Sequence, residues 1–111
     1  MSSVFATAVS TRARASDLDL PPEALRKLET YYQLLVRWNQ ATNLTSLPVE
    51  TLSHEALDRI ILEPIAAAAD FPTIPLCWID LGSGGGSPAI PLRIVRPASK
   101  LTMVELSLIH I

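Results

Sequence analysis

Apolar residues recur at every third or fourth position in the first half of the chain, which is the spacing of one face of an α-helix. The run follows Pro21, Pro22 and Glu23, and both a proline in the first turn and an early acidic side chain favour a helix start. The pattern predicts a helix that continues to about Ala41. For Trp38, a place in the core is favoured over a role as a base-stacking platform. The predicted core face consists of Leu25, Leu28, Tyr31, Tyr32, Leu35 and Trp38.

A second helical stretch is predicted over residues 51–63. Its inward residues are Leu52, Ala56, Leu57, Ile60 and Ile61. Pro64 is expected to kink or end this helix, because its ring clashes with the preceding turn and it donates no hydrogen bond. Residues 1–19 are small and polar without a sustained period, which predicts a flexible arm. Residues 20–70 are therefore predicted to form an N-terminal helical region.

The pattern changes at residues 76–81, a nearly continuous apolar run typical of a strand that is buried on both faces of a parallel sheet. A glycine cluster follows it, then a short helical segment over residues 89–95 and a second strand over residues 100–105. Strand, glycine loop, helix and strand in this order predict an α/β fold. We expect residues 71–111 to form the first, incomplete βαβ part of a Rossmann-like sheet.

The composition excludes several classes of protein. Of the 111 residues, 49% are apolar and 18% are charged, which excludes intrinsic disorder. A formal net charge of -2 gives no overall basic field, so a nucleic-acid partner must be argued from a local site. The apolar stretch at residues 65–69 is far shorter than the roughly 20 residues that span a bilayer, and no secretory signal is recognised. We therefore expect a cytoplasmic protein that does not enter a membrane.

Cysteine and histidine are scarce in this sequence. The single cysteine, Cys77, excludes an internal disulfide and is predicted to be a small buried hydrophobic residue. Two histidines and one cysteine provide no cluster of ligands, so no metal is expected.

The glycine cluster carries the candidate chemistry. Gly82, Gly84 and Gly86 form a G-x-G-x-G series after a predicted strand, where the backbone must turn tightly and approach a ligand closely. Its place between a buried strand and a helix favours a nucleotide-like cofactor over an unliganded loop. Glu105 ends the next strand, where such folds hold a ribose by its hydroxyl groups. A solvated carboxylate is the alternative role for this residue.

The identity of the cofactor stays open on these residues alone. A P-loop needs G-K-S/T at its end, and the sequence has none there. A dinucleotide fingerprint needs a third glycine at the position of Ser87. The acid-x-Gly-x-Gly-x-Gly order that starts at Asp80 instead resembles the S-adenosylmethionine loop of class I methyltransferases, in which a carboxylate ends the strand.

Three blocks of the sequence resemble one known family. Residues 38–46, WNQATNLTS, are similar to its W-N-x-x-x-N-L-T block, and residues 57–64, LDRIILEP, to its L-D-S block with a later proline. Residues 80–92, DLGSGGGSPAIPL, resemble D-x-G-[ST]-G-x-G-x-P-G-I-P-L, and Arg96-Pro97 its downstream R-P. On these blocks the chain is identified as a member of the bacterial ribosomal RNA small subunit methyltransferase G family (RsmG, glucose-inhibited division protein B).

The resemblance implies S-adenosylmethionine-dependent methylation of guanine N7 in 16S rRNA by a monomeric enzyme acting on the small ribosomal subunit. It implies these cofactor-binding residues: Asp80, Gly82, Ser83, Gly84, Gly86, Ser87 and Glu105. No catalytic general base is expected, because N7 already carries a lone pair. Candidate phosphate contacts are Arg12, Arg14, Arg26, Lys27 and Arg37.

The C-terminal end of the sequence departs from the family. After Glu105 the family continues with a basic helix and further strands, whereas here residues 106–111 read LSLIHI. We expect these residues to be foreign to the family, through truncation or frameshift, and the 111-residue chain to be inactive. A short paralogue is the alternative. Two other functions also stay open, a non-enzymatic helical fragment and a fragment of a nucleotide-dependent oxidoreductase.

Overall fold

The computed structural model of the protein describes residues 3–42, 47–68, 76–81 and 89–104. Its α-helices are α1 (Val4–Ala15), α2 (Pro22–Thr42), α3 (His54–Ala56), α4 (Glu63–Ala67) and α5 (Ala89–Val95), and its strands are β1 (Cys77–Leu81) and β2 (Lys100–Val104). A 3-10 helix, Val49–Thr51, precedes α3, and a π-helix, Leu57–Leu62, joins α3 to α4. The two strands are parallel and are connected through α5, which confirms the predicted fold class.

The helix α1 corrects the prediction of a flexible arm at residues 1–19. The hydroxyl of Ser3 caps this helix by accepting a hydrogen bond from the amide of Ala6 at 3.0 Å. Beyond the helix, Asp17 has a φ of 58°, the left-handed conformation that often ends helices. The residues of α1 that are buried in the core are Phe5, Val9 and Ala13. Their spacing of four was a helix signal, but the alanines, serines and threonines between them diluted the apolar pattern.

The helix α2 confirms the predicted first helix, which was expected to end near Ala41. It begins at Pro22, where a missing amide proton costs nothing because the first turn has no intrahelical acceptor for it. Its buried apolar residues are Ala24, Leu28, Tyr31, Tyr32 and Leu35. Trp38 is an exception, because 56% of it is exposed, so the prediction that it lies in the core is wrong. At about 100° per residue, Trp38 lies at the border of the apolar face, on the side of the exposed Leu34.

The second helical stretch begins at His54 and not at residue 51, because Leu52 is left-handed and Ser53 is an extended N-cap, and it stays helical through Pro64. The amide of Glu63 donates to the carbonyl of Asp58, five residues earlier, which is the hydrogen bond of a π-helix. Pro64 then lies in the first turn of α4, where a proline is tolerated. Pro64 was predicted to kink or end the helix. In the structure, the helix continues, and its hydrogen bonding changes to that of a π-helix just before the proline. Of the predicted inward residues, Ala56, Leu57, Ile60 and Ile61 are buried, and Leu52 is partly buried against them.

One buried hydrogen bond fastens the segment after α2 to the core. The hydroxyl of Tyr32 donates to the carbonyl oxygen of Val49 at 2.7 Å, and both residues are almost completely buried. Burial raises the pKa of Tyr32 to about 12. The ring of Tyr32 also contacts the ring of Phe5, with 5.3 Å between the centroids. Tyr32 thus joins three parts of the helical region, namely α1, α2 and the 3-10 helix.

Candidate functional site

The carboxyl ends of β1 and β2 lie side by side. The strands pair in parallel with Leu81 opposite Val104, so the chain leaves both strands at the same edge of the sheet. Residue 82 follows the first strand end and residue 105 follows the second. In open α/β sheets, ligands bind outside the carboxyl ends of the strands. The register therefore brings the start of the predicted glycine loop and the position of Glu105 to one edge.

Of the predicted cofactor residues, the structure describes the backbone of one. Asp80 lies in β1, where it is paired with Met103, but its side chain is outside the described residues. The remaining six also lie outside the described residues, and their roles stay predictions: Gly82, Ser83, Gly84, Gly86, Ser87 and Glu105.

The register of the two strands is fixed from the opposite edge. The amide of Leu76 donates to the hydroxyl oxygen of Ser99 at 3.1 Å, and the amide of Lys100 donates to the carbonyl of Leu76 at 2.8 Å. Ser99 is 3% exposed and is the buried polar residue of the described part of the chain. Because a slip of one residue would turn every strand side chain to the other face, these bonds also fix the alignment at the carboxyl edge.

One face of the sheet is exposed, which corrects two expectations. The paired residues Cys77 and Lys100, and likewise Ile79 and Thr102, are exposed, whereas Trp78 is half-buried. Cys77 is therefore not a buried hydrophobic residue, and β1 is not buried on both faces. The reason is that α5 contacts the sheet on one side, and no described element covers the side with Ile79, which is 71% exposed.

Arg96 connects the helical region to the strand–helix–strand unit. One guanidinium nitrogen of Arg96 donates to the carbonyl of Ala68 at 2.7 Å, at the C-terminal end of α4, and another donates to the carbonyl of Val95. Carbonyls at a helix C-terminus lack intrahelical donors, and a cation is favourable there. The sequence had assigned Arg96 to a family block without giving it a role. The Arg96-Pro97 pair was the sequence signal that singled out this residue. The hydrogen bonds of Arg96 show that it has a structural function.

Most of the candidate phosphate contacts are engaged with acidic side chains. Arg12 forms two hydrogen bonds with the carboxylate of Asp58, each 2.6 Å long. The hydrogen bond from Arg12 holds the pKa of Asp58 below its usual value, and the same bond raises the pKa of Arg12. The sequence pattern did not reveal this pair, because its partners are 46 positions apart.

Arg26 and Lys27 both face Glu23, one turn earlier on α2. The hydrogen bond from Arg26 lowers the pKa of this carboxyl. Arg14 and Arg37 are exposed and form no ion pair with any residue that the structure describes. They are the two candidate phosphate contacts that carry an uncompensated positive charge.

A cavity of about 370 Å³ lies near the C-terminal end of α5. It is lined there by Ile94 and Arg96, and across from them by Leu20 and Lys27. Because α5 precedes the start of β2, this cavity is at the opposite edge of the sheet from the carboxyl ends of β1 and β2. It is therefore separate from the carboxyl edge of the sheet.

The described residues contain neither a membrane-spanning helix nor a metal-binding cluster. None of the helices in the described ranges is both long and apolar enough to cross a membrane. Those same ranges contain no group of three or more His, Cys, Asp and Glu side chains placed to hold a metal ion.

Two parallel strands joined by a helix, with a glycine-rich segment after the first strand, define a Rossmann-like α/β protein. A family model described as GidB, rRNA small subunit methyltransferase G, matches residues 24–109, and the chain belongs to this family. The match extends beyond Glu105. The expectation that the last residues are foreign to the family is therefore wrong for residues 106–109.

Curated relatives named "Ribosomal RNA small subunit methyltransferase G" agree with this assignment. The relative from Pseudomonas aeruginosa strain LESB58 is 37% identical over 110 residues, which cover 95% of this chain and 49% of the relative. The relative from Pseudomonas syringae pv. syringae strain B728a is 37% identical over 99 residues, covering 87% of this chain and 43% of the relative. The chain thus spans about half the length of the curated relatives it matches. No solved structure matches the chain.

Proposed function

We propose that the whole protein carrying this sequence transfers a methyl group from S-adenosylmethionine to N7 of a guanine in 16S rRNA. The observation that carries the proposal is the family match over residues 24–109. The small ribosomal subunit is then its partner and the cytoplasm its location. A nucleotide-dependent oxidoreductase is less favoured, because the relatives that match are named methyltransferases.

The topology of the described residues fits a cofactor at the carboxyl edge of the sheet. Since Leu81 and Val104 are paired, the residues that follow them start from adjacent points, as a site shared between a glycine loop and an acid requires. In the proposal, Gly82, Gly84 and Gly86 let the backbone approach the ligand, and Glu105 accepts hydrogen bonds from the ribose hydroxyls. Bound S-adenosylmethionine supplies an electrophilic methyl group.

The proposed reaction demands positioning more than proton transfer. Guanine N7 has a free lone pair, so no proton must leave before the new bond forms. The protein has to hold N7 in line with the methyl group and exclude water, and such alignment lowers the barrier by restricting motion before the reaction. In A-form RNA, N7 faces a deep and narrow groove that side chains cannot enter, so the guanine has to be presented from a loop.

A chimera tests the proposal, because the chain matches about half of each relative. Residues 1–111 replace the matched part of the Pseudomonas aeruginosa protein, and the chimera is incubated with methyl-labelled S-adenosylmethionine and small subunits that lack the guanine methyl group. We expect label in 16S rRNA, located at guanine N7. We expect no label with the 111-residue chain alone. A chimera that folds and binds S-adenosylmethionine but never labels 16S rRNA would contradict the proposed substrate.

Two substitutions in the chimera test the proposed cofactor edge. Glu105→Gln removes the charge of the ribose acceptor and should weaken S-adenosylmethionine binding by about tenfold or more, since hydrogen bonds to charged groups contribute about 1.5–3 kcal/mol. Gly84→Val adds a branched side chain to the loop and should weaken binding by a similar factor. Thr102→Ser, an exposed change in β2, is the matched control. Calorimetric titration gives the affinities, and unchanged values for both variants would rule out this edge as the cofactor site.

A further inference from the structure

The outer face of α2 carries an exposed aromatic side chain beside an uncompensated cation. Trp38 is 56% exposed and Leu34, one turn earlier on the same side, is 48% exposed. Arg37 is also exposed and lies on the adjoining part of this face, together with Thr30 and Ala41. We call Leu34, Arg37 and Trp38 the α2 platform.

The charge of the platform favours an anionic partner. From residue 30 to the end of α2, Arg37 is the one Asp, Glu, Lys or Arg in the sequence. The two acidic residues of α2 lie in its first half: Glu23 pairs with Arg26 and Lys27, and Glu29 accepts a hydrogen bond from the hydroxyl of Ser3. The second half of α2 therefore presents the positive charge of Arg37 and contains no carboxylate.

Among anionic partners, the exposed tryptophan favours single-stranded nucleic acid. An indole ring offers a flat apolar surface, and the bases of single-stranded nucleic acid stack on such rings in a way that tolerates any sequence. A neighbouring guanidinium can at the same time contact a backbone phosphate. The proposed function also requires an RNA loop with unstacked bases near the protein.

We propose that the α2 platform is a contact surface for single-stranded RNA, in which a base stacks on Trp38 and Arg37 contacts a neighbouring phosphate. This inference rests on the proposed function for the identity of the RNA, but its own test requires no methyl transfer. The platform lies in the second half of α2, in the helical region. In this proposal its role is to bind the RNA, and it takes no part in binding the cofactor.

Fluorescence and anisotropy measurements on the 111-residue chain test the platform directly. In a Trp78→Phe background, Trp38 is the single tryptophan, and its emission should be quenched by a single-stranded RNA of about 12 nucleotides. Anisotropy of the labelled RNA should show affinity reduced about tenfold by Trp38→Ala and changed less than about threefold by Trp38→Phe, which keeps a ring. Because Trp38 is exposed, these variants should keep the helical circular dichroism of the parent.

Arg37→Gln tests the phosphate contact through its salt dependence. Loss of one phosphate contact should reduce the slope of log affinity against log salt by about 0.7. Arg59→Gln, at an exposed arginine of the π-helix, is the matched control that should change neither affinity nor slope. Equal RNA affinity for the parent and Trp38→Ala would overturn the proposal. Trp38-dependent self-association without RNA binding would instead make the platform a protein contact, which also overturns it.

The same substitutions in the chimera separate this proposal from the proposed function. Trp38→Ala should raise the KM for small subunits about tenfold with little change in kcat, since binding and not chemistry is affected. If the chimera methylates 16S rRNA and Trp38→Ala leaves the KM unchanged, the platform proposal fails and the proposed function stands. If no methylation occurs but RNA still quenches Trp38, the proposed function fails and the platform stands.

Discussion

The ion pair of Arg12 with Asp58 joins two segments that are far apart in the sequence. Arg12 lies in the last turn of α1 and Asp58 in the π-helix, and two hydrogen bonds of 2.6 Å make the contact bidentate. About a third of each side chain remains exposed, so water weakens the attraction between the charges. The pair orients α1 over the π-helix, and its energy is modest.

Asp58→Asn tests this pair and its pH dependence. The hydrogen bond from Arg12 lowers the pKa of Asp58 in the folded state, so its stabilisation is fully present above about pH 4 and is lost as the pH falls through the lowered pKa. We expect the substitution to lower the Tm at pH 7 by on the order of 2–4 °C. In strong acid the two proteins should have the same Tm.

Thermal denaturation followed by circular dichroism from neutral to strongly acidic pH measures this difference. Glu23→Gln is the control, because its carboxylate pairs within α2 and both partners are mostly exposed. We expect a smaller change in Tm for Glu23→Gln. A difference for Asp58→Asn that persists unchanged in strong acid would contradict the assignment.

At the scale of secondary-structure elements, the packing of α1 adds a third helical segment to the core of the helical region. Its buried face packs against α2 and the π-helix, and Val9 is completely buried at 0% exposure. The segment is therefore part of the core, although it lies before the start of the family match at residue 24.

Val9→Ala distinguishes a packed α1 from a flexible arm. Loss of two buried methyl groups should reduce the free energy of unfolding by about 1–3 kcal/mol. Val4→Ala is the matched control on the same helix, since Val4 is 76% exposed, and it should change this free energy by less than about 0.5 kcal/mol. Urea denaturation measures both values. Equal, small effects of the two substitutions would show that α1 does not pack as described.

At the scale of the whole molecule, one face of the two-stranded sheet is left open by the described elements. Ile79 is 71% exposed in β1, and Cys77 is exposed beside it. Parallel sheets are normally covered on both faces. Strand residues left open in this way favour association between copies of the chain.

Ile79→Lys should reduce self-association of the 111-residue chain. A lysine on an exposed strand disfavours pairing and stacking of sheets, so we expect a shift from oligomers toward monomer in sedimentation velocity. Val4→Lys adds the same charge at an exposed position of α1 and should leave the distribution nearly unchanged. The same distribution in the parent and in Ile79→Lys would show that the sheet face does not drive association.

Local patterns predicted most of the elements. The apolar period of α2 and the prolines at its start predicted both ends of this helix to within a few residues. Both features act locally, so they can be read from the sequence. The order of strand, glycines, helix and strand predicted that the two strands are parallel and that a helix connects them. The alignment of Leu81 with Val104 follows from that topology and from the anchor at Ser99, which the sequence did not identify.

The amino-acid sequence by itself determined the helical N-terminal region, the βαβ unit and the family, since each depends on short-range spacing or on motif letters. Only the tertiary structure decided that α1 packs into the core, that Trp38 faces outward, and that Arg12 pairs with Asp58. These outcomes depend on which surfaces meet after folding, and contacts between distant residues leave no periodic trace in the sequence. Exposure of Trp38 and Ile79 was decided in the same way, because an apolar residue is buried only where a neighbouring element covers it.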